Sequence, residues 1–169
     1  MSIPIRPALP ADVRGINRLV EPMTHTGVLL GKDLVSYYEA VQEFLVATDE
    51  DGEVVGCGAL HVMWEDLAEV RTLAVSEDQR GSGLGHRLLD SLLERARRLG
   101  LQRVFCLTFE VEFFTRHGFE VMSEAVDPDV YNQLLRSPDE GIAEFLDLAR
   151  VKPNTLGNTR MLKQLDTPG

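Results

Sequence analysis

Arg80-Gly-Ser-Gly-Leu-Gly85 sets glycines at 81, 83 and 85 between an apolar strand pattern and a long amphipathic helix pattern. A loop of this kind is suited to phosphate. The first N–H groups of a helix have no intrahelical acceptor, and the helix dipole places partial positive charge at that end. Without Cβ atoms at Gly81, Gly83 and Gly85, a pyrophosphate can reach consecutive backbone amides, with Ser82 and Leu84 in the same run and Arg80 adding a cation. The stretch has no Gly-Lys-Ser/Thr, which excludes a P-loop, and its glycine spacing departs from the dinucleotide fingerprint.

Arg80-x-x-Gly83-x-Gly85 resembles the pyrophosphate loop of the GNAT acetyltransferase superfamily, Gln/Arg-x-x-Gly-x-Gly/Ala. A second motif of that family, Phe-Tyr-x-x-x-Gly-Phe, is similar to Phe113-Phe-Thr-Arg-His-Gly-Phe119 and follows in the family's order. The resemblance implies acetyl-CoA as donor and extends its site to Leu73, Ala74, Val75, Thr108, Phe113 and Phe114. Backbone amides near Ala74 and Val75 are the expected stabilisers of the oxyanion, because Leu73-Ala-Val75 offers no donating side chain.

An attacking amine must lose a proton before it can reach a thioester carbonyl. Strand alternation places Glu69, Arg71, Leu73 and Val75 on one face, and many family members carry a carboxylate at the position of Glu69, the candidate base. Arg71 has two readings of equal weight, holding a substrate carboxylate or pairing with Glu69. The family's usual tyrosine acid is replaced by Phe114. Proton donation to the leaving thiolate is left to Tyr37, Tyr38, Tyr131, Cys106 or water, or is dispensed with, since a thiol pKa of about 8.5 makes the thiolate a tolerable leaving group.

The elements that must position these groups are read from periodicity. Residues 3–8 form a first strand; a helix carries Val13, Ile16, Leu19 and Val20 on one stripe and ends at Pro22; a second helix covers residues 34–38. Strands at 44–48 and 54–63 join through Asp49-Glu-Asp-Gly52, and a strand at 69–75 completes an antiparallel meander. After the glycine loop, Leu84, Leu88, Leu89, Leu92, Leu93, Ala96 and Leu99 make one buried helix face. Residues 104–107 form a strand parallel to 69–75, with that helix as the crossover. The expected fold is α/β of the GNAT type: a mixed central sheet of about seven strands, splayed between strands 4 and 5 and flanked by helices. One domain is expected over 1–169, with extra helices at 129–135 and 140–149 before a last strand at 158–165. Those helices have three uses open to them: core packing, covering the pocket, or packing on a second copy in a homodimer.

A narrower resemblance rests on the order of several phrases. Ile5-Arg-Pro-Ala8, Val20-Glu-Pro22, Thr26-Gly-Val-Leu-Leu30, Val55-Gly-Cys-Gly-Ala-Leu60, Glu69-Val-Arg-Thr-Leu-Ala-Val75 and Phe105-Cys-Leu-Thr108 together resemble the acetyltransferase domain of bacterial N-acetylglutamate synthases, over most of residues 3–122. That family acetylates the α-amine of glutamate, the first step of arginine biosynthesis. By this resemblance the segment ending Leu30-Gly-Lys32 and the final strand surround the amino acid, which makes Leu30, Lys32, Arg71, Asn158 and Arg160 the candidate substrate residues. Gly31-Lys32 stands where the family commonly has arginine, and Gly157-Asn-Thr-Arg160 replaces its basic C-terminal phrase, so glutamate, glutamine and related amino acids stay open. Two alternatives stand beside this reading: a family enzyme for another amine, such as a polyamine or peptide N-terminus, and a non-catalytic acetyl-CoA sensor. No upstream kinase-like domain is read in the sequence, so the chain is expected to be the catalytic part alone.

Composition bounds the partners. Seventeen Lys plus Arg against 27 Asp plus Glu give a net charge of -10, which argues against a general nucleic-acid or anionic-membrane surface. No apolar run is long enough to span a bilayer and no basic-apolar leader opens the chain, so a cytoplasmic location is expected. Cys57 and Cys106 sit in apolar strand patterns as buried hydrophobes, and no metal site is expected from the scattered Cys and His.

Overall fold

The computed structural model describes residues 2–25, 33–122, 128–137, 142 and 159–166. Its strands are β1 (Ile5–Pro7), β2 (Phe44–Thr48), β3 (Val54–Trp64), β4 (Leu67–Val75), β5 (Arg103–Thr108), β6 (Glu120–Val121) and β7 (Thr159–Gln164). They form a seven-stranded mixed sheet in the order β1-β2-β3-β4-β5-β7-β6. The helices are α1 (Val13–His25), α2 (Leu34–Glu39), α3 (Leu84–Arg98), α4 (Val111–Arg116) and α5 (Pro128–Leu134). The described residues pack as two compact units, Met1–His61 with Val70–Gly100, and Val62–Glu69 with Leu101–Gly169.

In the first unit the core follows the helical stripe of α1. Val13, Ile16 and Val20 bury against Tyr37, Phe44, Val46, Cys57, Ala59 and Ala74. Gly15 lets β3 approach α1, because a Cβ there would come within 2.7 Å of Val54 Cγ2. The entry to α1 is fixed by Asp12, whose carboxylate takes two bonds from the Arg6 guanidinium at 2.7 and 2.9 Å and one from the Leu9 amide at 2.7 Å. The Arg6 bonds outweigh burial, which acts the other way, and hold the Asp12 carboxyl below the usual carboxylate range. The β2–β3 turn closes on Asp49, whose Oδ1 accepts the Asp51 and Glu53 amides. α3 buries Leu84, Leu88, Leu89, Leu92, Leu93 and Ala96, each leucine contributing about 2 kcal/mol of transfer free energy.

The second unit is built on β5. Its parallel register with β4 pairs Leu67 with Arg103, Ala68 with Val104 and Glu69 with Phe105. On its other side β5 pairs antiparallel with β7 from Arg103↔Gln164 to Thr108↔Thr159. Met63, Leu67, Phe105, Leu134 and Ile142 form the core there.

Three expectations change. α1 runs through Pro22 to His25; a proline three residues from a helix end removes one backbone bond and leaves the last turn standing. Leu99 is 55% exposed rather than part of the α3 stripe, because the helix closes at Arg98 and Gly100 follows at φ +81°. The strands at the hairpin and at β4 are longer than read, reaching Trp64 and starting at Leu67. The expected helix at 140–149 lies outside the described residues apart from the buried Ile142, and the segment 26–32 lies outside them altogether.

Candidate functional site

The glycine loop begins one residue after β4. Ser76 ties back to β3 through its amide on the Val55 carbonyl at 2.9 Å. A turn at Glu77–Gln79 follows, and the Arg80 and Ser82 amides bond to Glu77 and Gln79 carbonyls at 3.2 and 3.1 Å. Ser82 Oγ donates to the Gln79 carbonyl at 2.6 Å and accepts the Leu84 amide at 3.3 Å. Gly81 and Gly83 then sit at φ +81° and +88°, and a Cβ at either would meet nothing within 4 Å. The glycines are therefore required by backbone direction, and the space in front of them is open. Arg80 is exposed beside them, while the Leu84 side chain is buried beneath β3, where a Cβ on Gly56 would reach it at 3.0 Å. Leu84 thus belongs to the loop as backbone only. Gly85 lies in the first turn of α3.

β4 carries one residue of irregular backbone. Thr72 has φ +53°, a left-handed conformation within the strand. Past that bulge Ala74 lies in the core with Val13 and Ile16, whereas Leu73 stands beside Leu92 across Gly58, where an added Cβ would meet both side chains within 3.0 Å. Leu73 and Ala74 therefore take opposite faces of the sheet. Arg71, immediately before the bulge, is 9% exposed.

Glu69 is 3% exposed. Paired residues of neighbouring strands share a face, so Glu69 lies with Phe105 and Leu162, and two residues along β7 brings in Arg160 opposite Leu107. A buried carboxylate and a half-buried guanidinium thus occupy the same face of the second unit. Burial lowers the Arg160 guanidinium from its ordinary value, yet an arginine remains charged at any physiological pH.

Of the expected proton donors, burial and then the Glu69 charge push the Cys106 thiol well above its usual value. Burial also raises Tyr37, whose ring packs 6.1 Å from that of Phe44. Groups that hold their protons this firmly are poor acids toward a thiolate. Phe114, where a tyrosine was the family norm, is edge-on to Phe113 at 5.2 Å and to Phe119 at 5.1 Å. Thr108 is buried, and its Oγ1 accepts the Glu110 amide at 2.8 Å, tying β5 to α4. Leu30, Lys32 and Asn158 lie outside the described residues. The Thr72 bulge and the shared face of Glu69 and Arg160 were missed from sequence; no local signal marks either. Among the described residues no group of three or more His, Cys, Asp or Glu side chains is placed to hold a metal, and no helix is long and apolar enough to cross a membrane.

Residues 20–119 match the model of the acetyltransferase (GNAT) family. The chain is 56% identical over 162 residues to an amino-acid acetyltransferase of Mycobacterium tuberculosis, covering 94% of this chain and 92% of that protein. A crystal structure of a Mycobacterium tuberculosis protein in complex with CoA superposes with a TM-score of 0.89 at 54% identity, covering 96% of this chain and 99% of that one. N-acetylglutamate synthase from Neisseria gonorrhoeae, complexed with coenzyme A and N-acetyl-glutamate, gives a TM-score of 0.78 at 25% identity over 98% of this chain and 36% of that one.

Proposed function

The chain belongs to the acetyltransferase (GNAT) family and is an acyltransferase, and from that premise we propose that it moves acetyl from acetyl-CoA to the α-amine of glutamate or glutamine, the first step of arginine synthesis. The observation that carries the acceptor is the placement of Glu69 and Arg160 on one face of the sheet. An amino acid of this class brings an amine to be deprotonated and carboxylates to be held, and those two side chains supply one group for each task. The relative named amino-acid acetyltransferase and the neighbour bound to coenzyme A and N-acetyl-glutamate support the same assignment.

Acetyl-CoA supplies an activated acyl group whose thiolate departs near neutral pH. The glycine loop, with open space in front of Gly81 and Gly83, and Arg80 hold its pyrophosphate at the start of α3. The Ala74 amide points at the buried Cys57 sulfur, which leaves the Val75 backbone amide to face the negative charge that grows on the carbonyl oxygen. Glu69 draws a proton from the substrate ammonium through a water and the freed amine nitrogen bonds to the acyl carbon; as the C–S bond breaks, the nitrogen gives up its second proton to the departing thiolate or to water, leaving the amide and CoA. Arg160 holds the carboxylates; Leu30, Lys32, Arg71 and Asn158 are carried over for the acceptor from the family resemblance alone. Leu73, Thr108, Phe113 and Phe114 shape the donor side, Thr108 and Phe114 by packing and turn geometry.

Replacing Glu69 with glutamine keeps the shape and removes the base. Steady-state kinetics should then show kcat reduced about 100-fold or more with KM for acetyl-CoA unchanged; unchanged kcat would remove Glu69 from the chemistry.

A further inference from the structure

Among the described residues Thr72 is the one non-glycine residue with positive φ, at +53°. A β-branched side chain is strained there and stays only when its surroundings insist on it. What insists is a thiol from the neighbouring strand. Cys57 is fully buried on β3, flanked by Gly56 and Gly58. Those glycines face α3, since Cβ atoms on them would come within 2.9 Å of Leu88 and 2.8 Å of Leu92, so the Cys57 side chain points the other way, into the core of Val13, Ile16, Tyr37 and Ala74. Its Sγ donates to the Thr72 carbonyl at 3.3 Å. The Ala74 backbone amide points at the same sulfur. A thiol has one donor and an accepting sulfur, so this one serves backbone groups on both sides of the bulge. Burial pushes its pKa up to about 12, which keeps the proton in place for donation.

We propose that Cys57 is a positioning residue for acyl transfer, its thiol clipping the Thr72 bulge and so fixing where the backbone groups of residues 73–75 point. This rests on the reading of those groups as part of the donor site. Without the clip, nothing holds Thr72 in its left-handed conformation, and the backbone of residues 73–75 relaxes from its present direction. The Val75 amide then turns away from the carbonyl oxygen while the substrate carboxylate contacts stay where they are.

The test is steady-state kinetics with amide hydrogen exchange on the full chain, for Cys57→Ala and Cys57→Ser, with acetyl-CoA and glutamate or glutamine. The alanine variant should lose about tenfold or more in kcat with KM for the amino acid within about twofold, and exchange faster at Ala74; serine, which donates and accepts as the thiol does, should stay within about threefold of the native kcat. Native kcat in the alanine variant overturns the proposal, as does an equal fall in both variants that follows their melting temperatures. If the alanine variant does not fold, the native chain decides: an Ala74 amide exchanging as fast as that of exposed Gly81 overturns the clip. Failure of the native chain to release CoA with any amino acid is a separate result, seen before any variant is made, and it removes the proposed reaction rather than the clip.

Discussion

Arg160 is the side chain whose placement says most about the acceptor. A guanidinium half-removed from water has lost hydration that a carboxylate can replace, with two parallel hydrogen bonds where the fork matches. Arg160→Ala should therefore raise KM for the amino acid at least about tenfold while leaving KM for acetyl-CoA within about twofold, with Arg160→Lys between the two. Equal effects on both substrates would take Arg160 out of the acceptor site. The sequence supplied Glu69 and Arg160 as separate candidates some ninety residues apart. That they share a face depends on the β4–β5 and β5–β7 registers, which are long-range pairings with no local mark. Cys57 is the reverse case: its burial was legible from the apolar run, but its bond to the Thr72 carbonyl was not, because nothing in a threonine announces a left-handed backbone.

At the scale of elements, the strand, glycine loop and α3 form a unit whose parts explain one another. The leucines of α3 recur every three to four residues over four turns, a signal strong enough to read from sequence, and the glycines before it are read from the same boundary. Its end was less legible: Leu99 continues the apolar period, but Gly100 has already turned the chain. Pro22 was overweighted in α1 for a similar reason, since a local breaker does not stop a helix whose final turn costs only one bond. The loop carries a direct prediction. Gly83→Val forces a β-branched residue to φ +88° and should weaken acetyl-CoA binding about tenfold or more by calorimetry. Gly52→Val is the matched control, because Gly52 has φ +80° and equally open surroundings in the β2–β3 turn. It should lower the melting temperature by a similar amount and leave the affinity unchanged. Equal loss of affinity in both would mean that strain, rather than the loop's contact with phosphate, weakens binding.

For the whole molecule, the seven-stranded mixed sheet follows from patterns that composition alone would not reveal: short apolar strands, a hairpin turn, and one long helix between parallel neighbours. With a net charge of -10, an anionic ligand needs local cations, and the candidates among the described residues are Arg71 on β4, Arg80 in the glycine loop and Arg160 on β7. The chain spans about a third of the Neisseria gonorrhoeae synthase to which it is similar and nearly all of the Mycobacterium tuberculosis relative. One assay reads the transfer itself: release of free CoA thiol from acetyl-CoA, measured with each of the twenty amino acids, spermidine and a short peptide. Turnover with glutamate or glutamine, and none with spermidine or the peptide, is the predicted result. Turnover confined to spermidine or the peptide, or acetyl-CoA binding with no thiol release for any amine, would contradict it.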